Sequence, residues 1–389
     1  MNGTTRPAGP LVGVRIIELS GIGPGPFAGM LLADMGAEVI RVDRTTGGSM
    51  MQAAAPKLDV LGRGKRSVAV DLKNPEGVAA VLDLVASAEA VFEGYRPGVA
   101  ERLGLGPDVC LERNPALVYG RMTGWGQTGP MAPRAGHDID YISIAGALHP
   151  IGRAGQPPTP PLNLVGDFGG GGIFLAYGIV CAILSARTTG VGQVVDAAMV
   201  DGASVLMAPF VAMRATGMWQ PERGTNLLDS GAPFYDAYRT ADGRYLALGA
   251  IEPQFYELLI DGLGLAGEDL PAQMDRQGWP ILKARFAEVI AGRTRDEWAK
   301  VFEGSDACVA PVLEPDEVPD DPHMKARDAF VDVAGLLQPR PAPRFSGTSP
   351  ADPASAPANG QDTRAVLTEL GYEPARVDAL VRAGAVVQA

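Results

Sequence analysis

At 389 residues the chain exceeds what one ordinary core fills, which predicts two domains or one large domain with an insert. Hydrophobic content of 46% with 20% charged residues is that of a soluble globular protein. Thirty-three basic against 45 acidic residues give a net charge of -12, which argues against nucleic-acid or anionic-membrane binding, since both need a broad basic surface.

An anionic small molecule stays open as a ligand, because a few local arginines can hold one whatever the total. The three cysteines, Cys110, Cys181 and Cys308, lie far apart without a C-x-x-C pair. That spacing argues against a disulfide framework or a zinc site and fits a reducing, cytoplasmic compartment. Met1 to Pro10 has no apolar run, so no secretory leader is expected. The longest apolar segment, Ile173 to Leu184, reads as a buried helix too short to span a bilayer.

In chain order, Val14 to Leu19 predicts a buried strand and Pro26 starts a helix that runs to Met35 and stops at Gly36. Glu38 to Val42 predicts a second strand. This opening predicts a parallel, Rossmann-like α/β sheet. Gly21-Ile-Gly23-Pro-Gly25-Pro26 has only two of the three dinucleotide glycines, and its prolines remove N–H groups that would hold a pyrophosphate. Ser67 to Leu72 is a third strand, and Asn74-Pro75-Glu76 starts a helix with an N-cap, a proline at its first position and an acid in its first turn. Ala90 to Phe92 and Leu117 to Tyr119 supply two more strands.

Ile173 to Ala186 predicts a helix, Val194 to Asp196 a strand, and Asp201 to Met213 a long helix between domains. Phe234 to Thr240 and Tyr245 to Ala250 flank Ala241-Asp242-Gly243 as a hairpin. A helix over Gln254 to Leu263 and a capping box at Thr294-Arg-Asp-Glu297 follow. A Pro- and Ala-rich connector over Gln338 to Asn359 then precedes two short helices, Thr363 to Leu370 and Pro374 to Ala383. The expected domains are 1–200, a large Rossmann-like unit; 201–224, a linker helix; 225–325, a smaller α+β unit; and 326–389, a return segment.

The chemistry-bearing stretch is Gly120 to Asp167, where a strand empties into a glycine-rich loop that lets backbone approach a ligand. His137, Asp138 and Asp167 can carry protons there; taken alone, each reads equally as a surface loop residue or a helix cap. Arg44, Lys73, Arg96 and Arg102 follow successive strands, so in a parallel sheet they share one rim and suit phosphates. Methionines at 199, 207, 213 and 218, at helical spacing, read as core rather than as an adaptable ligand surface. His149 and His323 read as structural or surface residues.

Gly13-Val-Arg-Ile-Ile-Glu-Leu-Ser20, Glu93-Gly-Tyr-Arg-Pro-Gly98 and Met122-Thr-Gly-Trp-Gly-Gln-Thr-Gly-Pro130 resemble segments of family III CoA-transferases. Gly136-His-Asp-Ile-Asp-Tyr141, Asn163-Leu-Val-Gly-Asp-Phe-Gly-Gly170 and Gly249-Ala-Ile-Glu-Pro-Gln-Phe-Tyr256 resemble its α-methylacyl-CoA racemase branch. The resemblance implies a Rossmann-like large domain, a small domain and an interlocked homodimer. It implies that His137 and Asp167 transfer protons and that Glu252 is a small-domain carboxylate near the histidine. Val70, Asp71, Leu72, Lys73, Gly94, Tyr95 and Arg96 become nucleotide contacts. Gly136, Asp138, Ile139, Asp140 and Tyr141 become substrate contacts.

No metal or cofactor beyond the CoA of the substrate is implied. Inverting a carbon beside a thioester needs a base on one face of a planar enolate and an acid on the other. A gap of about ten pKa units costs ~14 kcal/mol at ~1.4 per unit. A positioned base gives only about 10²–10⁴ in rate. The enolate oxygen must therefore be stabilised too, and Gly169 to Gly172 are the expected N–H donors, each worth roughly 3–4 kcal/mol. The rival is a CoA-transferase with Asp167 as nucleophile. A non-enzymatic reading is a CoA-binding regulatory protein.

Overall fold

The computed structural model describes residues 8–46 and 55–389; residues 1–7, on which the leader reading largely falls, lie outside the described residues. The chain forms two compact units. The first comprises Met1–Ala145, Leu162–Leu206 and Pro322–Ala389, the second Gly146–Pro161 and Met207–Asp321.

In the first unit β1 (Arg15–Leu19) is buried on both faces, as a central parallel strand must be. Helix α1 (Pro24–Asp34) begins two residues before the expected Pro26. Its two prolines cost nothing there, because first-turn N–H groups have no helical acceptor. After β2 (Glu38–Arg44) and β3 (Arg66–Val70), Asn74 caps α2 (Pro75–Ala86) by accepting the Glu76 N–H at 3.0 Å. Next come β4 (Ala90–Glu93), the short helices α3 (Val99–Arg102) and α4 (Pro107–Arg113), β5 (Val118–Thr123) and α5 (Asp138–Ile144). A π-helical segment, Leu164–Gly172, leads directly into α6 (Ile173–Thr189), followed by β6 (Gln193–Ala198) and α7 (Met199–Leu206).

β1 pairs in parallel with both β2 and β4, and the six strands run in the order β3-β2-β1-β4-β5-β6. This is the expected Rossmann-like sheet, with its order reversing between β1 and β4. The period of two puts Ile17, Val42, Val91 and Tyr119 in the core beneath α2, and Ile16, Val39, Phe92 and Val118 in the core beneath α6.

Two expectations fail here. The apolar α-helix starts at Ile173 as expected, but the glycine run before it is π-helical rather than a loop, so Leu164–Thr189 is continuous over 26 residues, long and apolar enough by length and composition to cross a bilayer, where too short a segment was expected. The four glycines continue the helix because neighbouring backbone packs onto them. A Cβ on Gly170 would sit 2.6 Å from the Ala203 nitrogen, and one on Gly202 would sit 1.9 Å from the Gly170 oxygen. The helix expected over Asp201 to Met213 is two, with α7 ending at Leu206 and α8 (Ala208–Ala215) beginning beside Pro209, which has no N–H to continue the ladder.

In the second unit β7 (Tyr235–Arg239) and β8 (Tyr245–Gly249) form the expected hairpin, its turn made by Gly243 at φ 80°. Helices α9 (Pro253–Leu263), α10 (Trp279–Ile290) and α11 (Arg295–Val301) pack their apolar faces into a core containing Phe234, Trp279, Phe286 and Trp298. The capping box forms, with Thr294 and Glu297 satisfying each other's backbone N–H. Phe302 follows α11 as its cap residue rather than lying inside it. β9 (Val309–Pro311) adds a third strand to β8.

α12 (Pro322–Ala326) ends where the return segment begins, and that segment carries a hairpin of β10 (Phe330–Val333) with β11 (Leu336–Pro339), neither expected. Residues 340–358 hold no helix or strand. α13 (Thr363–Glu369) and α14 (Pro374–Arg382) match the two terminal helices. β12 (Val386–Val387) then pairs antiparallel with β3, placing Val386 opposite Val70.

Candidate active site

Where the strand order reverses, the carboxyl ends of β1 and β4 diverge and leave a crevice, the usual ligand position in an open parallel sheet. A cavity of about 340 Å³ occupies it. Gly23 and Pro24 at the start of α1, Gly94 to Pro97 after β4, Thr123 to Trp125 after β5, and Gly136, His137, Tyr141 and Asp167 line it.

His137 is the N-cap of α5, extended at φ -130° and ψ 173°, with its ring exposed. Asp140 fixes this turn by accepting the His137 N–H at 2.9 Å. The Tyr141 hydroxyl donates to the Gly136 carbonyl, and its ring meets Trp125 edge-on at 4.8 Å. This packing explains the motif's glycines: a Cβ on Gly124 would lie 2.1 Å from the Tyr141 ring, and one on Gly136 2.7 Å. Burial, with Asp167 and Asp140 nearby, pushes the Tyr141 phenol up to about 12, so it stays a neutral donor. Ile139 and Asp140 are exposed beside the cavity but are not among its lining residues.

Asp138 corrects an expectation. It is buried, and its Oδ2 accepts the Asp167 N–H at 2.7 Å, so it works inside the protein and does not line the cavity. Asp167 itself is half-buried within the π-helical turn, one turn after Asn163, whose Nδ2 donates to its Oδ2 at 3.1 Å. Burial holds its carboxyl above the usual carboxylate range; the Asn163 bond and His137 oppose this, and the Asp138 charge adds to it. A carboxyl so placed is suited to carry a proton, and an imidazole lining the same cavity can take one.

The glycines expected to donate to an enolate lie within the π-helical segment, whose N–H groups point back along the helix, and their open sides are packed: Gly170 against Gly202 and Ala203, Gly171 against Met199 and Pro24, Gly172 against Phe27 and Pro24. The peptide N–H groups next to His137, those of Asp138 and Ile139, have no protein acceptor among the described residues.

Because β2, β3 and β4 are parallel, Arg44, Lys73 and Arg96 do share the sheet's carboxyl rim, and all three are exposed. Arg96 lines the cavity with Gly94 and half-buried Tyr95. Arg102, exposed, ends α3. The Val70 to Lys73 segment is mostly committed elsewhere. Val70 is 1% exposed under β12, Asp71 donates its N–H to Ala385 and accepts that of Lys73, and Leu72 packs on the core. Glu252 lies in the second unit as the exposed N-cap of α9, with no side-chain capping bond. His149 is exposed, a ring nitrogen 3.3 Å from the Pro221 carbonyl.

Reading the sequence missed Trp125, Arg134 and Asn163. Asn163 had a usable signal, four residues before Asp167 and hence on the same helical side; Arg134 had none. Of the four methionines only Met199 is in a core, and it also lines the cavity, while Met218 is 59% exposed.

The sequence matches CoA-transferase family III over residues 11–363. It is 48% identical over 365 residues to alpha-methylacyl-CoA racemase of Mus musculus, covering 93% of each chain. To the alpha-methylacyl-CoA racemase of Homo sapiens it is 47% identical, covering 93% of this chain and 94% of that one. Succinyl-CoA:glutarate CoA-transferase of Mus musculus is 31% identical, over 97% of this chain and 91% of its own. A solved CaiB/BaiF family protein from Brucella suis superposes with a TM-score of 0.81 at 26% identity, over 93% of this chain and all of its own.

Proposed function

The chain belongs to CoA-transferase family III, and from that membership and the cavity's chemistry we propose an isomerase that interconverts the 2R and 2S forms of 2-methyl-branched acyl-CoA thioesters. The observation that carries the reading is an imidazole, His137, and a carboxyl raised above its usual range by burial, Asp167, lining one cavity.

In one direction His137 removes the C2 proton and protonated Asp167 delivers one to the opposite face; for the other enantiomer the roles exchange. The enolate oxygen also needs a hydrogen-bond donor, a part the packed glycines do not fill. Arg96, with Arg44 and Lys73 on the same rim, supports the phosphate-bearing end of CoA. Moving a proton between faces transfers no electrons to an acceptor, so the reading asks for no metal or redox group.

The rival, transfer of CoA through an Asp167 anhydride, needs an ionised nucleophile. Burial raises the Asp167 carboxyl and so disfavours its ionised form, which favours proton transfer. The identity of 47–48% to racemases against 31% to a transferase points the same way.

Helix α6 presents Ile173, Tyr177, Val180 and Leu184 on one face, with Tyr177 67% and Leu184 68% exposed. This spacing is one apolar stripe, and we read it as the seat of a second copy in an interlocked homodimer. Glu252 of one copy would then charge or orient His137 of the other. The three free cysteines support a reducing, cytoplasmic setting.

The test is incubation of one enantiomer of 2-methylacyl-CoA in heavy water. Deuterium at C2 with loss of configuration supports the isomerase. Exchange of labelled free acid into CoA, with Asp167 trapped by hydroxylamine, supports the transferase. CoA binding with neither reaction leaves the regulatory reading.

A further inference from the structure

Glu93 is the last residue of β4, fully buried, and takes no part in the proton transfer above. Its Oε2 accepts the Tyr95 N–H at 2.6 Å, across the first turn of the Gly94 to Pro97 loop that lines the cavity. Its Oε1 accepts Nε of Arg121, its register partner on β5, at 3.2 Å. Arg121 in turn reaches Glu101 of α3 at 2.8 Å, and its remaining Nη2 is buried without an acceptor. A buried carboxylate bonded to a loop N–H two residues on, and anchored by a strand arginine behind it, fixes where that loop can sit.

We propose that Glu93 is a positioning residue for the Gly94 to Pro97 loop, holding it in the conformation that grips the carrier half of the thioester. The inference rests on the cavity taking a CoA thioester. It assigns Glu93 a role in carrier affinity and none in the chemical step.

Ionisation matters to this clamp. Both bonds to Glu93 come from donors, so the carboxylate satisfies two, whereas a protonated carboxyl turns one oxygen into a donor facing another donor. Burial first raises the Glu93 carboxyl to about 7, opposed by the Tyr95 N–H and by Arg121, with Glu101 adding to the rise. The other titratable groups facing it are the phenols of Tyr119, which donates to the Leu105 carbonyl at 2.7 Å, and Tyr95. The carboxylate, which accepts from both donors, is the main form above about 7, so both bonds are present there and one is lost as the carboxyl takes up a proton below it.

The experiment measures the Kd of free CoA, and kcat and KM for acyl-CoA, in wild type and Glu93→Gln across about pH 6 to 8.5. Glutamine accepts only one of the two donors and opposes the other. At the upper end Kd and KM rise by roughly tenfold, as for loss of a charge-assisted bond, while kcat stays within about twofold. In wild type Kd weakens on acidification; in Glu93→Gln that component is gone.

Equal CoA affinity in both proteins, or the same pH dependence, overturns the inference while leaving the isomerase reading in place. Failure of wild type to bind CoA at any pH sinks the isomerase reading itself, and the inference with it. If Glu93→Gln does not fold, the wild-type pH series decides alone: a Kd flat through neutrality overturns the proposal.

Discussion

The carboxylate of Asp138 accepts the peptide N–H of Asp167 at 2.7 Å. Since Asp138 is bonded in sequence to His137, one side chain ties together the two segments that carry the proposed proton carriers. Its negative charge also adds to the rise of the Asp167 carboxyl, behind the larger effect of burial. The first prediction concerns that charge. Asp138→Asn keeps an acceptor for the Asp167 N–H and removes one cause of the rise, so Asp167 loses its proton at lower pH. The limb of the kcat/KM profile governed by Asp167 then moves to lower pH, and activity near neutrality falls roughly three- to tenfold, in both directions alike. A limb that stays put, or moves upward, refutes the coupling.

The second prediction separates the two proton carriers. In Asp167→Asn, His137 can still remove a proton from one face, but nothing returns one to the other. Racemisation falls by at least about 10², while one enantiomer still exchanges its C2 proton for deuterium with retained configuration. Proton NMR of each enantiomer in heavy water reads both. Parallel loss of exchange for both enantiomers argues against two opposed carriers.

Much of this was legible in the chain because strand and cap chemistry is local. Asn74-Pro75-Glu76 and Thr294-Arg-Asp-Glu297 each announced a helix start that formed as written. Charges placed after β2, β3 and β4 shared a rim because parallel strands have no other way to pair. What escaped depends on neighbours distant in sequence. The glycines after Asp167 read as a pliable donor loop, yet they are the close-contact face of a helix against Gly202. Asp138 read as a substrate contact because its side-chain direction depends on the return of residue 167. Val70 was hidden by β12, supplied more than 300 residues later.

The third prediction tests that helix contact. Gly202→Ala places a methyl 1.9 Å from the Gly170 oxygen and 2.6 Å from its carbonyl carbon, backbone that cannot rotate away. Overpacking of this kind costs about 1–3 kcal/mol, which lowers Tm by several degrees, and kcat drops because Asp167 rides on the displaced turn. Gly347→Ala, with open space around it, is the control and leaves both unchanged. A Gly202→Ala protein with native Tm and kcat removes the packing explanation for the glycine run.

The fourth prediction addresses the buried pair of Lys65 and Glu18, both side chains fully inaccessible, with Nζ to Oε2 at 2.5 Å and Nζ also bonded to the Pro26 carbonyl at the start of α1. Lys65→Met leaves a buried carboxylate without its partner, and loss of one member of such a pair typically costs about 3–5 kcal/mol. Replacing both residues with methionine restores most of that stability, because no lone charge remains buried. Urea denaturation of the two variants gives the comparison. Equal destabilisation of the single and double variants rejects charge pairing as what matters here.

The last prediction tests the apolar stripe on α6. Four large side chains at 173, 177, 180 and 184 face outward on one helix side, and burying each against a second copy contributes roughly 1.5–3 kcal/mol. Leu184→Glu sets a charge within that contact and weakens self-association by at least about 10², whereas Leu184→Met conserves volume and leaves it intact. Sedimentation of the wild type then gives twice the 40.5 kDa chain mass, and Leu184→Glu dissociates on dilution. If Glu252 of the second copy completes each site, specific activity of Leu184→Glu falls with dilution in step with dissociation. A wild type that sediments as a single chain at every concentration, yet is fully active, would require each chain to build its site alone and would remove Glu252 of a second copy from the mechanism.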